Sequence, residues 1–588
     1  MSHQSRGGNP TDADGPSRVS RRDLLKTSTA AASGAGLLPT FSTDAEAADG
    51  GDGNKGRLHN IILIISDQES YRLLAPDDYD LPVRAELDRR GTRFENHYVG
   101  AAMCTASRGV MFSGQPPQVN GLFDQMELGY VPSMKTDKPS MGTVMRELGY
   151  KTAYFGKFEL KKSIIFPTDT TNYTAALDEY GFDTFSPDGD KTGAQDQGYD
   201  TDIDTAADAV RWMRTHGQAL NAAGHPWFLV VSFIMPHDVM YTDANLPGDN
   251  TQASEVGLTI TPPPDNAIYR TEWTFPLSPT HSESLGAPGR PRAQREYYIG
   301  WSNIMGYIPN SNEAMWHRFY NFYLNLLRDN DQNIGTVIDA VTELGLWENT
   351  VVVRTADHGE LGGSHGGLRG KGPFPYEEHS HVPLVIVHPD QPGGRQCHAV
   401  TSHVDLVPTL AGLTGASEEA RRTSLGGLPG YDFTGLLATP ETAGFDAIRP
   451  AVLFSYVGLQ TIDARYLLLA GADTMATRKG LPPLSEVHPD LSKQGFINFC
   501  FDGRYKFARY YAPAQFNTPI VFDEIYEKNE LELFDLESDP NETDNLAIKA
   551  DDNRALILAK NELLNDLIAD EVGVNNGSFL PDAVRPEP

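Results

Sequence analysis

The sequence predicts an α/β fold built on a doubly wound, mostly parallel β-sheet, with a smaller α+β domain at the C-terminus. Three apolar, β-branched runs at 60–67, 228–233 and 351–357 indicate buried parallel strands. Apolar residues at helical spacing between 334 and 344 separate the last two runs. Because strands that alternate with helices form doubly wound sheets, polar residues that follow these strands are expected at one edge of the sheet.

Further elements complete the large domain, which we expect to begin near residue 57 and end near residue 430. A short apolar run at 384–386 predicts a fourth strand, and a helix is expected near 405–410. The segment 239–312 interrupts the alternation, because it is long, rich in proline and rich in aromatic residues. Loops of this length are usually functional or disordered, and the aromatic content favours an insertion that covers the site.

After residue 430 the pattern changes, and we expect a smaller domain over 431–588 with an antiparallel sheet and a helix. Short strands are predicted at 451–454, 466–469 and 504–509, and a final helix at 555–570.

The composition indicates an acidic protein that does not bind nucleic acid. The chain has 588 residues and a formal net charge of −31, and it contains no stripe of basic residues. Self-repulsion at this charge opposes compaction unless salt screens it. We therefore hypothesise a high-salt habitat, with an ordinary acidic secreted protein as the alternative.

The N-terminus has the three parts of an export signal. Arg21 and Arg22 form a twin arginine, a weakly apolar run at 27–38 follows, and small residues at 45–47 offer a cleavage point. The apolar run is too short to span a bilayer, and no later run is long enough. We expect a twin-arginine signal peptide and linker over 1–48, transient contact with the Tat translocase, and a mature chain that is extracellular or at the cell surface with no membrane span.

The chain contains three cysteines, too few for a disulfide framework. Cys397 and Cys500 could pair outside the cell, or they could be inert buried thiols. Cys104 differs because Arg108 follows it four residues later, on the same face of a helix that we expect to open here. A helix N-terminus favours anions, so this pattern indicates a nucleophile and a guanidinium directed at one tetrahedral anion.

Two dipeptides at predicted strand ends are candidates for a metal site. Asp67–Gln68 follows the first strand and Asp357–His358 follows the strand at 351–357. Two carboxylates, an amide oxygen and one imidazole form a mostly hard ligand set that suits a divalent cation. We expect Ca²⁺ first, with Mn²⁺ or Mg²⁺ as the alternatives. Taken singly, Asp67 could be a helix N-cap and His358 a surface histidine.

Ordered motifs from residue 60 to residue 541 resemble the sulfatase family of the alkaline-phosphatase superfamily. The motifs lie at 60–68, 104–109, 156–160, 236–238, 356–359, 371–378, 382–386, 404–410 and 532–541. The metal pairs, together with 114–117 and 121–125, are similar to the choline-sulfatase and phosphonate-monoester-hydrolase branch. The resemblance implies an alkaline-phosphatase-like sheet and a sulfatase catalytic domain over 57–430.

The resemblance also implies that dedicated machinery oxidises Cys104 to formylglycine before export. One hydroxyl of the hydrated aldehyde attacks sulfur, and deprotonation of the other expels sulfate. Arg108 then orients the nucleophile, while Lys157, His237 and Lys371 bind the sulfate oxygens, with His237 or Lys371 protonating the leaving alkoxide.

Two positions depart from the family pattern, and two residues are candidates for contact with the substrate. Ala106 replaces a proline of the signature, and Glu159 replaces an active-site histidine. Gln125 and Glu159 are the candidate substrate-binding residues. The implied substrate is a sulfated small molecule or carbohydrate.

Alternative functions stay open at the level of the sequence. A phosphodiesterase or phosphonate monoester hydrolase would use the same residues, because both kinds of ester are tetrahedral anions. A two-zinc phosphatase would need a serine or threonine nucleophile. It would also need a second full set of metal ligands, and no such set can be assembled around His365, His379 or His403. An unmodified Cys104 would leave an anion-binding surface protein.

The charge of the chain generates the first prediction. The melting temperature of the mature protein is expected to fall when molar salt is diluted, because the Debye length is only ~3 Å at 1 M salt and increases on dilution. Differential scanning fluorimetry across a KCl series measures this dependence. A melting temperature that stays constant or rises on dilution would refute the high-salt hypothesis.

Overall fold

The computed structural model describes residues 58–258, 260–474 and 488–582, and the predicted export signal lies outside these residues. The described residues form one compact unit. The described residues contain two β-sheets, of eight and four strands. The strands are β1 (Asn60–Asp67), β2 (Thr92–Tyr98), β3 (Lys151–Gly156), β4 (Thr184–Phe185), β5 (Trp227–Pro236), β6 (Thr350–Ala356), β7 (Leu384–Val387), β8 (Arg395–Ser402), β9 (Val452–Tyr456), β10 (Phe496–Phe501), β11 (Tyr505–Tyr511) and β12 (Glu530–Asp535).

The large sheet has the order β4-β3-β5-β1-β6-β7-β2-β8 and is mostly parallel. Strand β7 runs antiparallel to both of its neighbours, β6 and β2, while the remaining pairs are parallel. The predicted α/β class and mostly parallel sheet are therefore confirmed, and strands are present at all four positions predicted in the large domain.

Helices cover both faces of the large sheet. The described helices of six or more residues are α1 (Pro82–Arg90), α2 (Cys104–Ser113), α3 (Met141–Glu147), α4 (Tyr173–Asp178), α5 (Gln197–Trp212), α6 (Arg292–Met305), α7 (Glu313–Glu343), α8 (Leu406–Leu413), α9 (Glu418–Leu425), α10 (Ala464–Thr474), α11 (Phe522–Lys528) and α12 (Arg554–Leu567). Shorter helical segments lie at Pro117–Asn120, Lys162–Ile165, Gln218–Ala222, Ser364–Gly367 and Glu377–Ser380. Short 3₁₀ turns lie at His237–Tyr241, Leu346–Glu348, His403–Asp405, Thr434–Ala438, Pro440–Thr442 and Leu546–Ile548, and π turns at Met213–Gly217 and Ile568–Val572.

Strand β1 shows why a continuous apolar run forms a central strand. Its eight residues are all buried. Ile61, Leu63 and Ile65 pack in the core that contains side chains of α2, α3 and α8. Ile62 and Ile64 point to the opposite face and pack with α5 and α7. Alternate side chains of one strand thus bury themselves under helices on both sides, as expected of a doubly wound sheet.

The four-stranded sheet is antiparallel, with the order β12-β11-β10-β9, and α12 packs against it. The smaller antiparallel sheet and the final helix predicted after residue 430 are therefore present. The boundary at 430/431 stays a prediction.

One predicted strand is wrong. The run at 466–469 lies inside α10, not in a strand. Its apolar residues pack against α6, which supplies Ile304 and Trp301 to the same core. A four-residue apolar run fits a buried helix as well as a strand, so tertiary packing decides between them.

Cys397 and Cys500 are both buried and free, so the inert-thiol alternative describes them. Across 58–258, 260–474 and 488–582, no helix combines the length and the hydrophobicity needed to cross a membrane.

Candidate active site

Four neighbouring strands each deliver one candidate residue to the same edge of the large sheet. Strands β3, β5, β1 and β6 lie side by side, and Lys157, His237, Asp67 and Asp357 are at or directly after their C-terminal ends. Backbone hydrogen bonds fix this alignment: Lys157 N donates to the Ser232 carbonyl at 3.0 Å, and Asp357 N donates to the Ser66 carbonyl at 3.2 Å. Polar groups therefore meet where a parallel sheet places its sites.

Helix α2 begins at Cys104 and brings residue 104 to this edge. Cys104 and Arg108 are both fully buried, and they lie one helical turn apart. Nη1 of Arg108 donates to the Lys157 carbonyl at 2.8 Å and to the Ser232 hydroxyl at 2.9 Å. These bonds tie the helix to the ends of β3 and β5.

Arg108 also joins the two carboxylates. Its Nη2 lies 3.2 Å from Asp67 Oδ2 and its Nε 3.0 Å from Asp357 Oδ2. Burial alone would raise the pKa of Asp67, but Lys157, His237 and Arg108 outweigh it and hold this pKa well below its usual range. Burial and the charge of Asp67 raise the pKa of Asp357 to about 6. The carboxylates of Asp67 and Asp357 therefore place negative charges close together in the site, and nearby cations must neutralise them.

Asp67, Cys104, Asp357 and His358 form one cluster whose candidate ligand atoms all lie within 4.8 Å of one another. His358 Nε2 is 3.2 Å from Cys104 Sγ and 3.6 Å from Asp67 Oδ1. His358 Nδ1 lies 3.1 Å from the Gly359 carbonyl, which can only accept a hydrogen bond. This contact assigns the proton to Nδ1 and leaves the Nε2 lone pair facing the cluster.

Gln68 completes the set of predicted metal ligands, and Glu360 holds it in place. The Gln68 backbone has φ = 74°, a left-handed conformation uncommon for a residue other than glycine. Its Nε2 donates to Glu360 Oε2, and its Oε1 accepts from Lys371 Nζ. Glu360 Oε1 also accepts from the backbone N–H groups of Gly362 and Gly370, at 2.9 and 2.7 Å.

No sequence motif points to Glu360. The residue follows the Asp357–His358 pair by only two positions, but nothing in that spacing indicates a partner at Gln68, 292 residues away. Its carboxylate fixes which way the Gln68 amide points, and it fixes the loop that carries Lys371. Glu360 is therefore a positioning residue for two predicted site residues.

Lys157 bridges Asp67 and Glu159. Its Nζ lies 2.7 Å from Asp67 Oδ2 and 3.2 Å from Glu159 Oε2, and all three side chains are buried. Burial opposes the charge of Lys157, but Asp67, Cys104 and Glu159 together outweigh burial and raise the pKa of Lys157. The lysine is therefore a buried part of the charge balance of the site.

An unusual backbone conformation and hydrogen bonds to Asp190 hold Glu159 in the site. The residue has φ = 58°, and Asp190 accepts hydrogen bonds from the backbone N–H groups of Phe158 and Glu159 at 2.7 and 2.8 Å. Burial raises the pKa of Glu159 to about 8. A carboxyl group with this pKa is mostly protonated at neutral pH, so it repels an anion less than a carboxylate would.

A cavity of about 430 Å³ lies beside these residues. Gln125, Glu159 and His237 line it together with Met103, the neighbour of Cys104. Burial, followed by Lys371 and Lys157, lowers the pKa of His237 well below its usual range, so the ring is neutral at pH 7. The apolar wall of the cavity includes Met240, Tyr241, Leu258, Trp301, Ile304 and Leu467.

The predicted insertion supplies most of that apolar wall. Five of the six residues named lie within 239–312, while Leu467, Ala470 and Gly471 come from α10. Gln125 also lines the cavity, and its Oε1 accepts a hydrogen bond from Thr105 N at 3.3 Å. All eleven residues predicted for catalysis, metal binding or substrate contact thus lie in the cluster or its immediate surroundings, while their roles stay predictions.

Burial and the charge of Asp67 raise the pKa of Cys104 to about 12. At neutral pH the group is a thiol, which is a weak nucleophile, and not a thiolate. Lys157 and Lys371 act in the opposite direction but do not offset burial and Asp67, so the unmodified cysteine is not activated.

Comparison with known proteins identifies the family. A sequence model described as sulfatase matches residues 59–416, and the chain belongs to this family, as predicted. An arylsulfatase of Volvox carteri is 26% identical over 390 residues, which are 63% of this chain and 57% of the relative. The chain therefore matches little more than half the length of this relative.

Solved structures share the fold. A 2-O GAG sulfatase aligns with a TM-score of 0.61 at 18% identity, over 88% of this chain and 93% of the other. A phosphonate monoester hydrolase of Agrobacterium radiobacter aligns with a TM-score of 0.55 at 20% identity, over 87% and 96%. At these identities the likeness concerns the fold alone.

The contacts of Glu360 generate the second prediction. In Glu360→Gln, one acceptor oxygen becomes a donor, so the Gln68 amide loses its fixed orientation. We expect calcium affinity to fall by about 10- to 100-fold, as is typical when a residue that orients a metal ligand is changed. Isothermal titration calorimetry measures the affinity. The matched control is Glu348→Gln, on an exposed carboxylate. Equal affinities of parent and Glu360→Gln would contradict the positioning role.

Proposed function

We propose that the protein hydrolyses a sulfate ester with a nucleophile made from Cys104 and a divalent cation bound beside it. One observation carries the proposal. The side chain of residue 104, at the first residue of a buried helix, lies within 4.8 Å of carboxylate and imidazole ligand atoms from two strand ends. A nucleophile, a cation site and several cationic side chains around one small volume suit the displacement of a tetrahedral anion.

The residues present fit a hard divalent cation. Asp67 and Asp357 offer carboxylate oxygens, Gln68 an amide oxygen, and His358 an imidazole nitrogen whose lone pair faces the cluster. Oxygen-rich sets of this kind suit Ca²⁺ first, with Mn²⁺ or Mg²⁺ as alternatives. When bound, such a cation acts as a Lewis acid that withdraws electron density from an ester oxygen.

Residue 104 is proposed to be formylglycine in the active protein, formed by the machinery that oxidises such cysteines. The raised pKa of the thiol supports this, because a buried thiol is a poor nucleophile at neutral pH. The hydrated aldehyde would supply two hydroxyls on one carbon, and we propose that Arg108, one turn along α2, orients them.

The cationic side chains of the chain bind and orient the anion. The Lys157 ammonium group lies between Asp67 and Glu159, and the Lys371 ammonium group donates a hydrogen bond to Gln68 Oε1. Both ammonium groups are therefore close to the volume beside residue 104. His237 contributes a neutral ring that can donate one hydrogen bond to an ester oxygen. Because a neutral imidazole is a much weaker acid than an ammonium group, we assign proton donation to the leaving alkoxide to Lys371 rather than to His237.

The substrate is proposed to be a sulfated small molecule or carbohydrate. The cavity beside the site holds a molecule of about monosaccharide size, with a polar wall at Gln125 and Glu159 and an apolar wall at Trp301 and Leu258. A neighbour in fold is described as a 2-O GAG sulfatase, which supports a carbohydrate ester as the first substrate to test. We further propose that the segment 239–312 covers the bound substrate.

A phosphonate monoester hydrolase is the second candidate function. The observation that favours it is the shared fold with such an enzyme of Agrobacterium radiobacter. Aldehyde hydrate, cation and lysines would serve both reactions, because the two anions share their tetrahedral geometry. An unmodified Cys104 would instead leave an anion-binding protein without turnover.

We propose export by the twin-arginine route to the cell surface or beyond. The arginine pair, the weakly apolar run and the small residues in the N-terminal 48 residues support this, and so does the strongly acidic composition. The acidic composition also supports the high-salt habitat.

The chemical state of residue 104 is the subject of the third prediction. Mass spectrometry of the peptide containing residue 104, from protein purified from its native host, is expected to show an aldehyde in place of the thiol. In Cys104→Ser, the serine would be trapped as a stable ester, so turnover of both an aryl sulfate and a phosphate diester is expected to be lost. Cys397→Ala, at another buried free cysteine, is the control and should retain turnover. Undiminished turnover by Cys104→Ser would refute the mechanism.

Removal of the cation is the subject of the fourth prediction. Exhaustive chelation is expected to lower kcat/KM for the aryl sulfate by about a hundred-fold or more, because a Lewis acid contributes several kcal/mol to such reactions. Ca²⁺, Mn²⁺ and Mg²⁺ are then added back separately while turnover is measured. Full turnover in the chelated protein would argue against a catalytic cation.

A further inference from the structure

A second cluster of potential metal ligands lies at the opposite edge of the large sheet. His59 directly precedes β1, while His388 and Asp390 follow β7. Because β7 is antiparallel to β6, its C-terminal end lies beside the starts of β6 and β1, where Val387 pairs with Val352 and Asn60 with Thr350. The eight residues of β1 separate this cluster from the catalytic one by about 25 Å, at about 3.3 Å per residue.

The three side chains are already in contact. His59 Nε2 lies 2.9 Å from Asp390 Oδ2, and the rings of His59 and His388 are 5.1 Å apart at an angle of 74°. One potential ligand atom from each residue lies within 4.8 Å of the other two. No large backbone movement is needed to direct all three at one ion.

The surroundings hold the cluster in place but leave it reachable. The His59 side chain is 8% exposed and that of Asp390 39%, so one side of the cluster meets solvent. The Tyr150 hydroxyl donates to the His59 carbonyl at 2.8 Å and fixes the backbone before β1. Asp390 N donates to His388 Nδ1 at 3.1 Å, and this bond has to break when His388 binds a cation. The buried Nδ1 of His59 has no hydrogen-bond partner in the described part of the chain, so no second bond fixes the tautomer of this ring.

The ligand types of this cluster differ from those of the catalytic site. Two imidazoles and one carboxylate suit borderline first-row cations such as Zn²⁺ and Co²⁺. The catalytic cluster offers mainly oxygen atoms and suits a hard cation. Different cations should therefore occupy the two sites.

We propose that His59, His388 and Asp390 form a second metal site, which binds one Zn²⁺ or a similar first-row divalent cation with water in the remaining position. The site joins the start of the central strand to the β7–β8 connection. Bound metal therefore stabilises the folded chain, as any ligand of the native state alone does. This inference is independent of the proposed hydrolysis, because no residue of the catalytic cluster takes part.

Cobalt is the probe that tests the site. The mature protein is first saturated with Ca²⁺ to occupy the oxygen-rich cluster and is then titrated with Co²⁺, whose visible absorption reports coordination by imidazole. Equilibrium dialysis against Zn²⁺, followed by metal analysis, gives the stoichiometry and affinity. We expect one Co²⁺ or Zn²⁺ per chain and a higher melting temperature with Zn²⁺ present.

Two variants make the test specific. His388→Ala removes one ligand and should weaken Zn²⁺ binding by about ten-fold or more, since even residues that only orient a ligand contribute this much. His398→Ala, at an exposed histidine on β8, is the matched control and should bind Zn²⁺ like the parent. Turnover with Ca²⁺ should be unchanged in both. Equal Zn²⁺ affinity in His388→Ala and parent, or no stoichiometric binding by the parent, would overturn the proposal and leave a simple His59–Asp390 ion pair.

Discussion

The buried contact of Arg108 with Asp67 and Asp357 is the interaction on which the site depends. Two carboxylates brought to one sheet edge repel each other, and burial makes that repulsion costly. The Arg108 guanidinium lies 3.2 Å from Asp67 Oδ2 and 3.0 Å from Asp357 Oδ2, so its positive charge offsets part of the negative charge of both carboxylates. Lys157 neutralises more, at 2.7 Å from Asp67. Breaking such a buried pair from one side typically costs about 3–5 kcal/mol.

The same charge balance links fold to chemistry. A parallel sheet presents successive strand ends at one edge, and α2 adds its first turn there, so five separate segments contribute buried side chains to one small volume. Three cationic side chains and two carboxylates meet there, which is the charge arrangement on which the proposed binding of an anion and a cation rests. Strand β7, which among the described strands of the large sheet alone runs antiparallel to its neighbours, has a different consequence, because it returns the chain to the far edge and brings His388 beside His59.

The sequence predicts a structural feature when a contiguous run of residues determines it, and it fails where contacts between residues distant in sequence decide. Strand β1 was predictable because both of its faces are buried, so its eight residues form one apolar run that ends in a carboxylate. The run at 466–469 was assigned wrongly because four apolar residues carry no periodicity long enough to separate helix from strand. Glu360 and Asp190 were missed because each acts through hydrogen bonds to residues distant in sequence.

A crystal structure of the calcium-soaked mature protein, with anomalous scattering data, would locate the cation and identify residue 104 in one experiment. We expect one ion with oxygen ligands from Asp67, Gln68 and Asp357 at about 2.3–2.6 Å. His358 should complete the set, and residue 104 should carry an aldehyde or its hydrate rather than sulfur. An ion bound away from these residues, or a thiol at position 104 in protein that turns over sulfate esters, would contradict this expectation.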